Sequence, residues 1–197
     1  MKPFSEACER NKDAILSVLR ETFPSALNIL EIGSGSGQHA VYFARQLPHL
    51  TWHTSDLHEN HAGILAWLRE ANLPNVRAPL ELDVTDSPWP LVAAGGVFSA
   101  NTAHIMSWNH VEKMFVGVGH ILAQGDAFCL YGPFNYDGQY TSQSNAKFDA
   151  WLQARDPQSG LRDFAEVDRL AREQGLLLLK DYVMPANNHC LVWLKKQ

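Results

Sequence analysis

A glycine-rich turn directly follows a short apolar segment of the chain and precedes an amphipathic one. Residues 29–38 read Ile-Leu-Glu-Ile-Gly-Ser-Gly-Ser-Gly-Gln, and apolar residues recur at helical spacing from residue 40 to residue 47. Glycine tolerates positive φ and carries no side chain, so alternating glycines let the backbone turn sharply and approach a ligand closely. This order predicts a buried strand, a turn with a ligand site, and a helix.

Two classes of nucleotide cofactor are bound by a strand, a glycine-rich turn and a helix in this order. The dinucleotide pattern G-x-G-x-x-G requires a third glycine where this chain has Gln38. The pattern here is E-x-G-x-G-x-G, which resembles motif I of the class I S-adenosylmethionine (SAM) methyltransferases. The alternative is an ordinary turn between a strand and a helix. The cofactor-binding residues that the resemblance implies are Glu31, Gly33, Ser34, Gly35 and Gly37.

Composition narrows the class of protein. The 197 residues, 46% hydrophobic and 19% charged, fit one globular domain over residues 1–197. A net charge of −5 argues against a broad basic surface, so nucleic acid is not expected as a partner. No apolar run approaches the roughly 18 residues of a membrane span, and the start of the chain lacks the form of a signal peptide. The three cysteines are far apart in the sequence, and we expect them to be free thiols. We therefore predict a soluble, cytoplasmic protein.

Strand and helix patterns alternate along most of the chain. The predicted strands are 26–32, 50–55, 76–84, 97–100, 127–131, 176–183 and 190–195. A helix is predicted over residues 110–123, with Gly125 just past its end. Five strands with helical crossovers indicate a parallel sheet covered on both faces, and the terminal hairpin makes the last strand antiparallel. The prediction is an α/β, three-layer, doubly wound, Rossmann-like seven-stranded sheet, the class I methyltransferase topology.

Acidic residues lie at or next to the ends of the second and third predicted strands, at the edge where open α/β sheets bind ligands. Asp56 lies about twenty residues beyond the glycine turn, the spacing of a residue that accepts hydrogen bonds from ribose hydroxyls. Asp83 has the position where methyltransferases often place a carboxylate near the adenine amino group. We expect Asp56 with Leu57, and Asp83 with Val84, to contact the cofactor. The alternative for each aspartate is a helix cap or a solvated turn.

Further short segments extend the resemblance over nearly the whole chain. In chain order they are residues 9–12 (Glu-Arg-Asn-Lys), 31–39, 101–105 (Asn-Thr-Ala-His-Ile), 131–135 (Tyr-Gly-Pro-Phe-Asn), 148–149 (Phe-Asp), 162–163 (Arg-Asp) and 184–188 (Met-Pro-Ala-Asn-Asn). Together they resemble an uncharacterised methyltransferase-like family that includes methyltransferase-like protein 26. This resemblance implies a SAM-binding fold and supplies no established substrate.

Asn101 and His104 follow the fourth predicted strand, in a region that resembles the one where many methyltransferases contact the methyl acceptor. Asn101 is expected to contact the cofactor and to accept a hydrogen bond from an acceptor amine. His104 is predicted to act as a general base, because its reference pKa lies near neutrality. The alternative for His104 is an ordinary polar network of the loop.

Other polar and aromatic residues are candidates for the mouth of the site. If the first helix crosses the edge of the sheet, Asn11 is expected at the cofactor and Arg10 at the acceptor. The remaining acceptor candidates are Tyr131, Phe134, Asn135, Tyr140 and Asn188. Aromatic rings there would also favour the sulfonium through cation–π contact. The alternatives are loop packing for the aromatic residues and an ordinary turn for Asn188.

One histidine-rich stretch has the residue types of a metal site. It contains His53, Asp56, His58 and His61. However, Asp56 is assigned to the ribose, and the stretch passes from a strand into a helix without presenting one face. No metal is therefore expected.

The sequence as a whole predicts a SAM-dependent methyltransferase that acts on a small molecule or a protein. Two alternatives remain open at this point. One is a non-catalytic SAM-fold protein that binds cofactor or a partner without turnover, and the other is an NAD(P)-dependent oxidoreductase. The sequence predicts neither the acceptor atom nor the oligomeric state.

Overall fold

The computed structural model describes residues 2–91 and 93–196. Its α-helices are α1 Glu6–Thr22, α2 Gln38–Gln46, α3 His61–Ala71, α4 Trp108–Ile121, α5 Gln143–Arg155 and α6 Phe164–Glu173. Its strands are β1 Asn28–Ile32, β2 Thr51–Asp56, β3 Val76–Glu81, β4 Ala94–Ala100, β5 Leu122–Gly132, β6 Phe134–Tyr136, β7 Gln139–Tyr140, β8 Arg162–Asp163, β9 Leu176–Met184 and β10 Asn188–Lys195. Two 3₁₀ helices span His58–Asn60 and Pro185–Asn187.

Seven strands form one mixed sheet in the order β3-β2-β1-β4-β5-β10-β9. Pairing is parallel from β3 to β5, with Leu30 of β1 opposite His53 of β2 and Val97 of β4. β10 is antiparallel to both of its neighbours. The predicted doubly wound, seven-stranded topology with an antiparallel last strand is therefore confirmed. The strand order changes direction between β1 and β4, the switch point where open α/β sheets bind ligands.

Apolar side chains cover both faces of this sheet. α1 and α2 pack on one face around a core that includes Leu19, Phe43, Trp52, Cys129 and Cys190. α4 and α6 pack on the other around Phe115, Phe128, Val167, Leu170 and Trp193. Burying one such large side chain contributes about 1.5–3 kcal/mol, so these two cores hold the strand ends in place.

Side-chain caps fix where several helices begin. Ser5 Oγ accepts a hydrogen bond from the Cys8 N–H at the start of α1, and Ser107 Oγ accepts one from the His110 N–H at the start of α4. Asp163 Oδ1 accepts a hydrogen bond from the Ala165 N–H at the start of α6. Such caps each contribute about 1 kcal/mol. Each cap satisfies a backbone N–H that the first turn of its helix would otherwise leave unpaired.

Two parts of the structure differ from the sequence prediction. Gly125 lies within β5, with φ +92°, and does not end a helix, because α4 already ends at Ile121 and β5 starts at the next residue. The register against β4 shifts there, so the glycine belongs to an irregularity of the strand. A second, three-stranded sheet, β7-β6-β8, was not predicted, because strands of two or three residues carry no readable period.

No helix in residues 2–91 and 93–196 is both long enough and apolar enough to span a bilayer.

Candidate functional site

A cleft of about 700 Å³ lies at the carboxyl ends of β1, β2 and β4. This volume lies within the range of roughly 300–1,000 Å³ that is usual for ligand pockets. The predicted site residues that line it are Gly33, Ser34, Gly35, Asp56, Leu57, Asp83, Val84, Asn101 and His104. Residues distant in the chain thus meet at one edge of the sheet, which makes this cleft the candidate functional site.

The three glycines of the turn have positive φ but different surroundings. The φ values are +72° at Gly33, +56° at Gly35 and +87° at Gly37. A methyl group on Gly33 would lie 2.6 Å from Thr102 Cγ2, and one on Gly37 would lie 3.1 Å from Ile64 Cα. A methyl group on Gly35 would meet no atom of the described residues within 4 Å, its chain neighbours aside. Gly35 therefore borders open space, whereas Gly37, which is outside the cleft, lets α2 pack against α3.

Glu31 lies beneath the turn and does not line the cleft, although the sequence predicted that it contacts the cofactor. The residue is 2% exposed, and its Oε2 accepts hydrogen bonds from Ser34 Oγ at 2.8 Å and from Trp52 Nε1 at 3.0 Å. Burial raises the pKa of Glu31 to about 7, although both hydrogen bonds oppose the rise. The carboxyl group ties the glycine turn to β2.

Asp56 ends β2 and is bonded to the glycine turn. Its Oδ2 accepts a hydrogen bond from the Gly35 N–H at 2.7 Å. Its Oδ1 accepts from the Leu57 N–H at 2.8 Å and from Asn60 Nδ2 at 2.7 Å. These bonds fix the carboxylate beside Gly35. A carboxylate has about four acceptor positions, so Asp56 retains capacity for a hydroxyl of a ligand.

Asp83 lines the cleft just after β3, next to Val84. Its Oδ1 accepts hydrogen bonds from the backbone N–H and the hydroxyl of Thr85, at 2.9 and 2.8 Å, and these bonds lower its pKa. This is the turn arrangement that the sequence left open as an alternative. Its Oδ2 has no hydrogen-bond partner within the described parts of the chain, so one charged oxygen stays available for a ligand.

The segment after β4 brings Asn101 and His104 to the cleft. Asn101 has φ +60°, and its N–H donates to the Tyr131 carbonyl at 2.8 Å. His104 is 6% exposed, and its ring packs edge to face on Phe148 with 5.3 Å between centroids. Burial, together with the nearby charge of Arg162, lowers the pKa of His104 to about 4. His104 is therefore neutral near pH 7: it can accept a hydrogen bond, but it is a weaker base than its reference pKa implied.

One short segment holds the loop that carries His104. The carbonyl oxygens of four consecutive residues, 103–106, accept hydrogen bonds from residues 159–162. The pairs are Arg162 Nε with Ala103 at 2.9 Å, the Gly160 N–H with His104 at 2.9 Å, Ser159 Oγ with Ile105 at 3.0 Å, and Arg162 Nη2 with Met106. We term residues 159–162 the carbonyl clamp. It fixes the backbone on both sides of His104.

Helix α5 belongs to the same unit. Asp149 Oδ1 accepts a hydrogen bond from the Leu161 N–H of the carbonyl clamp at 2.7 Å. The preceding residue, Phe148, lines the cleft and stacks on Trp151, with 5.8 Å between ring centroids. Sequence reasoning assigned no site role to Phe148, Met106 or the carbonyl clamp. The sequence did contain one signal: the Phe-Asp and Arg-Asp pairs are among the segments that resemble the methyltransferase-like family.

The beginning of α1 also borders the cleft, but not through the residues that the sequence indicated. Cys8 lines the cleft, and burial raises the pKa of its thiol. Arg10 is exposed and donates to Glu6 at 3.2 Å. Asn11 Oδ1 lies 2.7 Å from Nε2 of His39, a buried residue that lines the cleft. Asn11 thus reaches the site only through His39, and Arg10 does not reach it.

The other predicted acceptor residues lie outside the cleft. Tyr131 and Phe134 are 3% and 1% exposed and belong to the cores on opposite faces of the sheet. Asn135 pairs with Tyr140 between β6 and β7, and the Tyr140 hydroxyl donates to a carboxylate of α5 at 2.7 Å. Asn188 Nδ2 donates to two carbonyl groups of its own turn. Packing and turn formation, the alternatives raised from the sequence, account for the positions of the two buried aromatic residues and of Asn188.

The histidine-rich stretch after β2 does not assemble into a metal centre. Across residues 2–91 and 93–196, no group of three or more His, Cys, Asp or Glu has a metal-binding arrangement. His58 Nδ1 lies 3.5 Å from Glu81 Oε2, and His61 Nε2 lies 3.1 Å from the Asp56 carbonyl oxygen. These contacts position side chains at the start of α3.

Comparison with known proteins gives one family match and many structural ones. A family model described as protein of unknown function (DUF938) matches residues 2–195. An O-methyltransferase family protein from Burkholderia thailandensis superposes with a TM-score of 0.85 at 17% identity, covering 98% of this chain and 58% of that one. The apo form of the S-adenosylmethionine-dependent methyltransferase SibL gives a TM-score of 0.82 at 18% identity, covering 97% and 56%.

A third similar structure, PigF with S-adenosylhomocysteine (SAH), gives a TM-score of 0.77 at 14% identity and covers 92% of this chain and 61% of that one. The chain therefore spans between 56% and 61% of the length of these three proteins. At such identities the likeness establishes the class I methyltransferase fold, and the chemistry has to be argued from this chain's own residues.

Proposed function

We propose that this chain, which belongs to the DUF938 family of proteins of unknown function, binds SAM and transfers its methyl group to an acceptor. The fold supports this, because two of the similar solved structures described above are named as methyltransferases. The observation that carries the proposal is the open space at Gly35, whose N–H donates to Asp56 at 2.7 Å. Gly35 is exposed at the cleft and carries no side chain, so a ligand can approach its backbone closely.

The residues of the cleft fit this cofactor chemically. In the proposal, Gly33, Ser34 and Gly35 accommodate the methionine part, and Asp56 with Leu57 binds the ribose. Asp83 and Val84 bind the adenine end. Within the described residues no lysine or arginine lines the cleft, so no permanent side-chain cation there repels a sulfonium.

In methyl transfer, the protein contributes mainly by positioning the acceptor relative to the methyl group. SAM supplies a methyl group activated by a sulfonium. Holding an acceptor in line with that group can contribute several kcal/mol. We assign Asn101 and His104 to the acceptor side. His104, neutral near pH 7, accepts a hydrogen bond from the reacting group and orients it, while the proton leaves to solvent through the open cleft. The absence of lining lysine and arginine from the described cleft favours a small-molecule or protein acceptor over nucleic acid.

Thermal unfolding with SAM, SAH, NAD and NADP tests the cofactor. A ligand at 100 times its Kd stabilises the native state by about 2.7 kcal/mol, which for a chain of this size raises Tm by roughly 5–10 °C. We expect SAH to produce such a rise, Asp56→Ala to remove most of it, and His104→Ala to retain it. Asp126→Ala is the matched control, because that carboxylate caps an exposed backbone N–H of β5.

The alternatives give different results in the same assay. A rise in Tm with NAD or NADP and none with SAM or SAH would assign an oxidoreductase. Loss of the SAH effect in His104→Ala would make His104 a support of the cofactor or the fold. Binding of SAH without transfer of label from SAM to any component of a metabolite extract would assign a non-catalytic SAM-fold protein.

A further inference from the structure

Part of the cleft is lined by apolar side chains that come from the loop after β4 and from α5. Ile105, Met106 and Phe148 all line it, and Ile105 is 56% exposed although its side chain is apolar. Phe148 contacts two further rings, stacking on Trp151 and meeting His104 edge to face. We term Ile105, Met106 and Phe148 the apolar wall. Apolar side chains grouped at the surface of a cleft indicate a binding surface for an apolar ligand.

The apolar wall is held rigidly before any ligand arrives. The carbonyl clamp bonds the backbone of Ile105 and Met106, and Asp149 bonds the clamp to the helix that carries Phe148. A preorganised surface loses little conformational entropy on binding, so it suits a small rigid ligand. A flexible peptide would lose more of its own entropy on the same surface.

The distribution of charge around the apolar wall disfavours an ionic acceptor. Asp56, Glu59 and Asp83 line the cleft, and no lysine or arginine of the described residues does. The guanidinium of Arg162 does not line the cleft and donates to the carbonyls of Ala103, Met106 and Gln158. The apolar wall itself contains no charged side chain, so an ion of either sign that packs on it would be desolvated without a direct ion pair.

We infer that the acceptor is an uncharged small molecule with a flat aromatic body, which packs on Ile105, Met106 and Phe148 and presents a hydroxyl group to His104. This inference rests on the proposed methyl transfer. The hydroxyl oxygen forms a bond to the methyl carbon as the carbon–sulfur bond breaks, and the sulfur keeps the bonding electron pair. The hydroxyl proton, first hydrogen-bonded to the His104 ring, leaves to water. The products are a methyl ether, SAH and a proton.

Three matched probes test the class of acceptor: 2-naphthol, 2-naphthoate and 2-naphthylmethylammonium share one ring system and differ in charge. Calorimetric titration into the protein saturated with SAH measures each Kd. We expect 2-naphthol to bind at least about tenfold more tightly than either ion, because burial of an unpaired charge is costly. Phe148→Ala and, separately, the exposed Ile105→Ala should each weaken binding of 2-naphthol by roughly three- to tenfold and leave the Kd of SAH unchanged.

Leu179→Ala, which changes an equally exposed apolar residue of β9, is the matched control and should alter neither Kd. Equal or tighter binding of either ion would overturn the inference, and so would unchanged 2-naphthol binding by both wall variants. Failure of the unmodified protein to bind SAH would instead refute the proposed function, so the two failures are distinguishable.

Discussion

Replacing Gly33 or Gly35 with alanine tests why each position lacks a side chain. One position is expected to have no room because the fold fills it, and the other because a ligand occupies it. Both residues have positive φ, +72° and +56°, so alanine at either position costs about 1–2 kcal/mol of backbone strain. The added methyl group lies 2.6 Å from Thr102 Cγ2 at Gly33, whereas at Gly35 it enters the open cleft. The overpacking against Thr102 costs about 1–3 kcal/mol more.

Gly33→Ala is therefore expected to lower the free energy of unfolding by about 2–5 kcal/mol, and Gly35→Ala by about 1–2 kcal/mol. In a chain of 197 residues these losses correspond to Tm decreases of roughly 4–20 °C and 2–8 °C. Gly35→Ala should also weaken SAH binding out of proportion to its small loss of stability, because its methyl group occupies the ligand's space.

A second substitution isolates the contact. Thr102→Ser removes the methyl group that Gly33→Ala would meet and keeps the hydroxyl, which pairs with Ser99 Oγ at 2.6 Å. Urea unfolding of both single variants and the double variant measures the coupling. The double variant should be about 1–3 kcal/mol more stable than the sum of the single effects predicts. Simple additivity would refute the steric explanation.

Three further predictions concern buried charges. Burial raises the pKa of Glu31 from 4.5 to about 7, so the unfolded state loses this proton first and the free energy of unfolding falls as the pH rises from about 4.5 to 7. The change in the free energy of unfolding over that pH range should be on the order of 3 kcal/mol, and Glu31→Gln should remove it in urea unfolding. An unchanged pH dependence in the variant would contradict this prediction. The pKa of His104, lowered to about 4, should rise in Arg162→Gln and stay unchanged in the exposed control Arg169→Gln, as measured by NMR titration; equal values in both variants would exclude the charge of Arg162 as a cause. Asp149→Ala removes the acceptor for a backbone N–H of the carbonyl clamp and should cost about 1.5–3 kcal/mol in thermal or urea unfolding, whereas a smaller loss would mean that the clamp does not depend on it.

The sheet and one side of the cleft could be predicted because their signals are local in sequence. A strand that ends in a glycine turn, and aspartates at or near the ends of the next two strands, are typical of a cofactor site in an open α/β sheet. Asp56 and Asp83 accordingly lie at the cleft. Even here the role of Glu31 was not readable, because its bond to Trp52 depends on how β1 and β2 pair.

The opposite side of the cleft could not be predicted, for an equally physical reason. Arg162 and Ala103 are 59 positions apart, and no period or propensity links them. Aromatic residues at and beyond the end of β5 suggested a pocket, but Tyr131 and Phe134 are buried in the cores on opposite faces of the main sheet. Chemical type alone does not distinguish an aromatic residue that lines a cavity from one that fills a core.

The two sides of the cleft therefore differ in what maintains them. Gly35 and Asp56 are joined across neighbouring strands, so any chain that forms this sheet brings their positions together. His104 and Phe148 meet only because the carbonyl clamp holds a loop and a helix that the sheet does not determine. A protein that shares the fold with a TM-score of 0.85 at 17% identity need not share this second arrangement. The acceptor must accordingly be inferred from the apolar wall of this chain, because superposition of the common sheet carries no information about it.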